Sequence, residues 1–306
     1  FKALRPLYPP AEYALLPQVA NGTGARANRH ADALALSLWP SRGLTLTGIS
    51  VLALMVAVGL FLSIQAWDAF RSVGFRFFTT SSWQPDRRDF GVAAIITYTV
   101  LIALIAVAVA LPLAMGTALF IVEIVPAWLR STFVAVVDLM AAVPSVVYGL
   151  WGLFFLQGQI IGLSRWLTTW FGWFPLFKVS GDDPTSPISS GTVYTASTFI
   201  AGVVVSMMVM PIACSVMREV FSQVPPGERE GALARGSTRW GMIRTVTLPF
   251  GRGGIIGGTM LGLGRALGET IAVYLIISPR FDINFHVLEN GSNSVSSLIA
   301  LRTPEA

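Results

Sequence analysis

Two charged side chains interrupt the apolar stretch "LGLGRALGETIAVYLIISP" (Leu261–Pro279): Arg265 and Glu269, one helical turn apart. A guanidinium grips an oxyanion through two parallel N–H···O bonds, and a carboxylate beside it accepts a proton that the anion still carries. The same pair also reads as a plain i,i+4 ion bond that locks a helix bundle, and spacing alone does not separate the two. A third charge, Asp138, lies in "STFVAVVDLMAAVP" (Ser131–Pro144). Each such group costs at least ~2.5 kcal/mol at a bilayer centre, so it is kept for pairing or for function. Arg265, Glu269 and Asp138 together leave one negative charge unbalanced. That predicts a cation from a partner subunit or a protonated carboxyl.

These residues need an apolar scaffold to hold them. The chain has 306 residues, 54% hydrophobic and 12% charged, against about 25% charged in soluble domains. The long uncharged runs place it among integral membrane proteins of all-α class. Span one is Leu44–Ala66. Phe90–Val122 is uncharged for 33 residues, too long for one straight crossing, with Pro112 as the expected kink. Span three is Ser131–Gln157, with Pro144 and Ser145 mid-span as a gate or static bend. Span four is Thr195–Met217, and span five is Gly253–Ser278, with Arg265 near its centre.

Residues 1–43 carry five Lys or Arg, and Arg218–Arg252 carries six. This bias puts both segments, and the N-terminus, on the cytoplasmic side. The resulting division is a cytoplasmic segment 1–43, a membrane domain 44–278 with the inward loop 218–252, and an outward tail 279–306. The chain begins with Phe1, and "SNSVSSLIALRTPEA" (Ser292–Ala306) reads as the approach to a further span. Trp166, Trp170, Trp173 and Phe177 recur at helical spacing, as in a helix lying in the outer interface. "SGDDPTSPISSG" (Ser180–Gly191) is a turn-rich loop. Gly258, Gly262, Gly264 and Gly268 form small-xxx-small spacings, expected to face another subunit.

Much ordinary chemistry is excluded. One cysteine, Cys214, and two histidines, His30 and His286, leave no disulfide framework and no cysteine–histidine metal site. The two lysines, Lys2 and Lys178, stand outside any Gly-Lys-[Ser/Thr] phosphate loop. No catalytic triad is visible, so the chain reads as non-catalytic, and any ATP is hydrolysed elsewhere.

The loop "VPPGEREGALARGSTRWGMIRTVTLPF" (Val224–Phe250) reads as a short helix over Glu228–Ala234, a bend at Gly236, and a second helix capped by Ser237 and closed at Leu248-Pro249. Glu230-Gly231-Ala232, Gly236 three residues on, and Val246-Thr247-Leu248-Pro249 nine further on resemble the "EAA" loop of ABC importer permeases. There the loop docks on a separate ATP-hydrolysing subunit. Glu230, Gly231, Ala232, Arg235, Gly236, Leu248 and Pro249 are the positions that the resemblance assigns to this contact. Across residues 75–285, "AAVPSVVYGLWGL" and "LGLGRALGETIAV" are similar to the PstC-type permease family of high-affinity phosphate importers.

The resemblance implies a type I ABC importer permease with six spans, of which five are visible in this sequence. It also implies a sister permease (PstA-type) bearing an equivalent arginine, two ATPase subunits (PstB-type) that bind ATP and magnesium, and an outer phosphate-binding protein (PstS-type). Phosphate fits the Arg265–Glu269 chemistry, since it retains an O–H that sulfate lacks. A permease for sulfate or molybdate, or an ion-coupled carrier working alone, are the rival readings. The location implied is a prokaryotic plasma membrane.

Overall fold

A computed structural model describes residues 23–81, 83–84, 89–180 and 191–302. It divides after Arg71 into two units. The first is carried by α1 (Thr23–Val73), whose stretch Thr45–Trp67 is long and apolar enough to cross a bilayer and is exposed at every residue. The expected segment 1–43 lies in part outside the described residues.

The second unit opens with α2 (Arg76–Thr79) and a two-residue antiparallel pair, β1 (Trp83–Gln84) with β2 (Asp89–Phe90). The rest is helical: α3 (Ala93–Leu119), α4 (Ala127–Ala142), α5 (Ser145–Trp151), α6 (Gln157–Phe171), α7 (Thr198–Ser222), α8 (Pro226–Ala234), α9 (Arg239–Met242), α10 (Leu248–Phe250), α11 (Arg252–Leu267), α12 (Ile271–Ile276) and α13 (Val295–Arg302). Three π-helical turns join into these helices. Phe120–Ile124 extends α3, Gly152–Leu156 fuses α5 to α6, and Ile243–Thr247 fuses α9 to α10.

Among the described residues, four helical stretches are long and apolar enough to span a membrane: Thr45–Trp67, Ala93–Ile124, Ser145–Phe171 and Thr198–Ser222. Three expectations change. First, α3 runs through Pro112 without a break, and the irregularity falls at Phe120–Ile124, where Val125 N–H donates five residues back to Phe120 O. Pro126 follows, and the residue before a proline is driven out of helical geometry.

Second, Ser131–Gln157 is not one span. Val143 and Pro144 are both extended, with ψ near 128° and 143°, so the chain stops and restarts. The crossing begins at Ser145 and continues to Phe171, taking in Trp166 and Trp170. Those two tryptophans therefore end a span, and no separate interfacial helix carries them. Tyr148 Oη donates back across the break to Met140 O at 3.0 Å, joining Val143 N–H on that carbonyl. Third, Gly253–Ser278 is split at Gly268–Thr270 into α11 and the short α12.

The core forms where α3 and α7 run side by side in the same direction. A Cβ on Gly202 would lie 2.5 Å from Ile105, so this glycine sets the closest approach of the two helices. Ile102, Ala106, Val204, Val205 and Val209 fill the seam. Helix α11 returns antiparallel along α7. Gly258 sits against Ala213 O, and Gly262 against Val209. These two glycines thus serve packing inside this chain and not a face toward another subunit, whereas Gly264 and Gly268 are exposed. Gly149 does the same work for α5 against Ala272 of α12, and Gly152, in the π turn, for Val204 of α7 and Ile276 of α12, each within 3 Å if given a Cβ. At the end where α3 and α7 begin, residues 277–294 fold over the bundle. Phe199 N donates to Val287 O, Val287 N to Leu176 O and Asn290 N to Val193 O, around buried Tyr194 and Leu288.

Candidate functional site

The break after Leu267 brings Arg265 and Glu269 together under different conditions. Arg265 occupies the last turn of α11, where helix carbonyls favour a cation, and Glu269 precedes α12, where free N–H groups favour an anion. Glu269 Oε1 accepts from Ala272 N at 3.3 Å, capping α12. Its other oxygen faces Arg265 Nη2 at 3.6 Å. The Glu269 backbone carbonyl, freed by the break, accepts from Ser296 Oγ at 2.7 Å, while Thr270 Oγ1 donates to Gly268 O. Irregular backbone at membrane depth is stable only when its polar groups are answered in this way. The Glu269 side chain is 4% exposed and the Arg265 side chain 44% exposed. The pair is therefore one-sided: an enclosed acid holding an open guanidinium.

Depth follows from packing. Gly262 touches Val209, at the middle of α7, so Arg265 lies about 4.5 Å further along by helical rise. Asp138 does not join it. It is exposed on α4, and no ion pair includes it among the described residues. Arg265 and Glu269 pair with each other, and the ion pairs among the described residues give Asp138 no cation. Pro144 and Ser145 mark the α4–α5 junction, and Pro112 faces outward on α3. Among the described residues no group of three His, Cys, Asp or Glu is gathered as a metal site.

The second constellation lies at the opposite end of α3 and α7. Helix α8 starts at Pro226, with Glu228 in its first turn. Gly236 has φ +83°, a left-handed conformation that ends the helix at little cost for glycine. Thr238, rather than Ser237, caps α9, accepting from Gly241 N at 3.1 Å. Leu248-Pro249 does not close that helix. Leu248 N–H donates five residues back to Ile243 O, and this wide turn admits Pro249 before the chain bends at Gly251. Glu230, Gly231, Arg235 and Gly236 are exposed, and Ala232 is buried beneath them. Leu248 is half-buried and Pro249 exposed. Leu233 and Trp240 add exposed apolar surface to the same loop.

Residues 110–295 match the family described as binding-protein-dependent transport system inner membrane component. The chain belongs to that family. It is accordingly a multi-pass membrane component and a non-catalytic one. The phosphate transport system permease protein PstC of Pasteurella multocida is 37% identical over 259 residues, covering 84% of this chain and 78% of the relative. PstC 2 of Mycobacterium tuberculosis is 37% identical over 261 residues, with the same two coverages. PstC of Mesorhizobium japonicum is 33% identical over 291 residues, covering 95% and 86%. This transport component is thus similar to PstC-type permeases over most of its length.

One buried charge of this permease component escaped sequence reasoning. Glu123 ends the long uncharged run and sits in the π turn after α3. Its side chain is 6% exposed, and its Oε1 meets Arg229 Nη2 at 3.4 Å and accepts from Thr247 Oγ1 at 3.0 Å. The signal was present, since a charge directly after 33 uncharged residues demands a partner. The partner was invisible, because Arg229 stands 106 residues away in a loop that reads as solvated.

Proposed function

We propose that this chain is one of two membrane-spanning permease subunits of an ATP-driven importer of inorganic phosphate, forming half of the pathway. Arg265 meets the oxyanion through a bidentate contact, and Glu269 orients the guanidinium. The observation that carries this reading is the one-sided pair, in which a carboxylate is sealed against α12 and a guanidinium stays open near mid-depth. The names of the relatives support phosphate as the anion. An acid acting as the acceptor of the phosphate O–H would need an oxygen accessible to the anion. Glu269 is only 4% exposed, with one oxygen on Ala272 N–H and the other facing Arg265, so its part here is to position the arginine.

The loop 218–252 faces the cytoplasm in this reading, together with the N-terminus, in line with its six arginines. Helix α8 presents Glu230, Gly231 and Leu233 to a separate PstB-type ATPase, which binds ATP and magnesium. A PstA-type sister permease completes the pathway against the exposed Gly264 and Gly268. A PstS-type binding protein delivers phosphate to the other side.

The test is purification from native membranes followed by reconstitution. The intact chain is expected to copurify with an ATPase and to drive phosphate uptake only with ATP present. Deleting Glu228–Gly236 is expected to release the ATPase. A chain that moves phosphate when purified alone would overturn the proposal.

A further inference from the structure

Beyond the substrate, the structure bears on how force would enter the membrane domain, an inference that rests on the reading just given. Helix α8 has two faces. One carries exposed Glu230 and Leu233; the other carries Arg229, pointing inward. Arg229 Nη2 donates to Phe221 O at 2.6 Å, at the end of α7, and lies 3.4 Å from Glu123 Oε1, at the end of α3. Thr247 Oγ1 reaches the same carboxylate oxygen from the π turn that leads to α11. One buried carboxylate therefore ties together the elements leading to α3, α8 and α11, and the arginine it holds adds α7.

The surroundings reinforce this knot. Phe221 is fully buried, and a Cβ on Gly251 would lie 2.2 Å from its ring, so the bend into α11 is pressed against the end of α7. Arg130 Nη2 donates to Val122 O at 2.9 Å, answering a carbonyl loosened by the π turn. Glu123 and Thr247 each lie in a π turn, where an extra residue re-aims the side chains around it. Arg229 Nε is buried without a partner, so the network rests on Nη2 and the Glu123 oxygen, and loss of a partner to a buried charge is costly.

We infer that Glu123, Arg229 and Thr247 form a mechanical joint that makes the α8 loop move as one body with α3, α7 and α11. Glu123 is a positioning residue, acting on substrate only through this linkage. Without the joint, α8 still presents its exposed face to the ATPase, but its displacement dissipates in the loop. The signature is uncoupling: hydrolysis continues while transport falls.

The test uses the whole complex in proteoliposomes, comparing wild type with Glu123→Gln, Glu123→Ala and Thr247→Val. Copurification of the ATPase, ATP hydrolysis and phosphate uptake are measured on the same preparations. The expected result is retained ATPase binding with uptake per ATP reduced about tenfold in both Glu123 variants, and about threefold in Thr247→Val, which removes one hydroxyl without changing shape. Equal falls in hydrolysis and uptake, or an unchanged ratio in Glu123→Gln and Thr247→Val, would overturn the inference. Should Glu123→Ala fail to assemble, the two milder variants decide.

A second measurement needs no transport. Spin labels on Leu113→Cys in α3 and Ala234→Cys in α8 are expected to give one narrow distance distribution. Glu123→Gln is expected to broaden it, and an unchanged width counts against the joint. A wild-type complex that moves no phosphate, with the broadening still seen in Glu123→Gln, would sink the proposed substrate while sparing the joint.

Discussion

Among the described residues two arginine–glutamate pairs occur, and they are built in opposite ways. Glu123 is enclosed and shared: Arg229 and Thr247 both reach it, and Arg229 is itself held by Phe221 O, leaving the guanidinium 23% exposed. Glu269 is equally enclosed but holds its arginine alone, at 3.6 Å, with Arg265 44% exposed. In both pairs the carboxylate is fixed by the backbone or by neighbouring side chains. The difference lies in how many groups restrain the cation. A guanidinium restrained from two sides transmits displacement, whereas one restrained from a single side keeps donors for something else. Burial of the acid alone would not have distinguished a fastening from a binding group.

Substitutions sharpen that contrast. Arg265→Gln removes the open cation and is expected to cut initial phosphate uptake about a hundredfold, with ATPase binding intact. Retained uptake would strip the second pair of its binding role. Next comes the roughly tenfold loss of uptake per ATP expected for Glu123→Gln. Glu269→Gln should be milder. Its amide oxygen can still cap Ala272, so α12 stays folded, but Arg265 loses its electrostatic hold. The apparent KM for phosphate is expected to rise about threefold, with uptake per ATP unchanged. If Glu269→Gln uncoupled hydrolysis as Glu123→Gln does, the two pairs would be of one kind. The smallest effect belongs to Gly231→Ala. This exposed glycine has open space at its Cβ position, so alanine should stabilise α8 by about 0.5–1 kcal/mol. Slower amide exchange in α8 would register it.

The helical class, the apolar spans and the loop that resembles an EAA element were legible because they depend on local composition. Helix α8 begins and ends near the expected residues, since Pro226 and Gly236 act through their own backbone preferences. Three other features depended on tertiary partners. Pro144 was read as a bend within one span, but two consecutive extended residues separate α4 from α5. The fifth apolar run concealed a break, because only Ser296, Ala272 and Arg265 make the irregular backbone at Glu269 affordable. Gly258 and Gly262 announced close packing without naming the neighbour, which proved to be α7. Arg265 and Glu269 were identifiable as a pair from spacing. Their unequal exposure was not, since it arises from what α12 and α13 place around the acid.

The π turn at Phe120–Ile124 sets the rotational phase of whatever follows it. An α-helix advances about 100° per residue, so deleting one residue from that turn would restore a regular helix and swing Glu123 roughly a quarter-circle around its axis. The chain would keep its composition and its greasy length, yet the carboxylate would face away from the arginine that it now meets. Indels near this point are therefore a matter of angle before they are a matter of length.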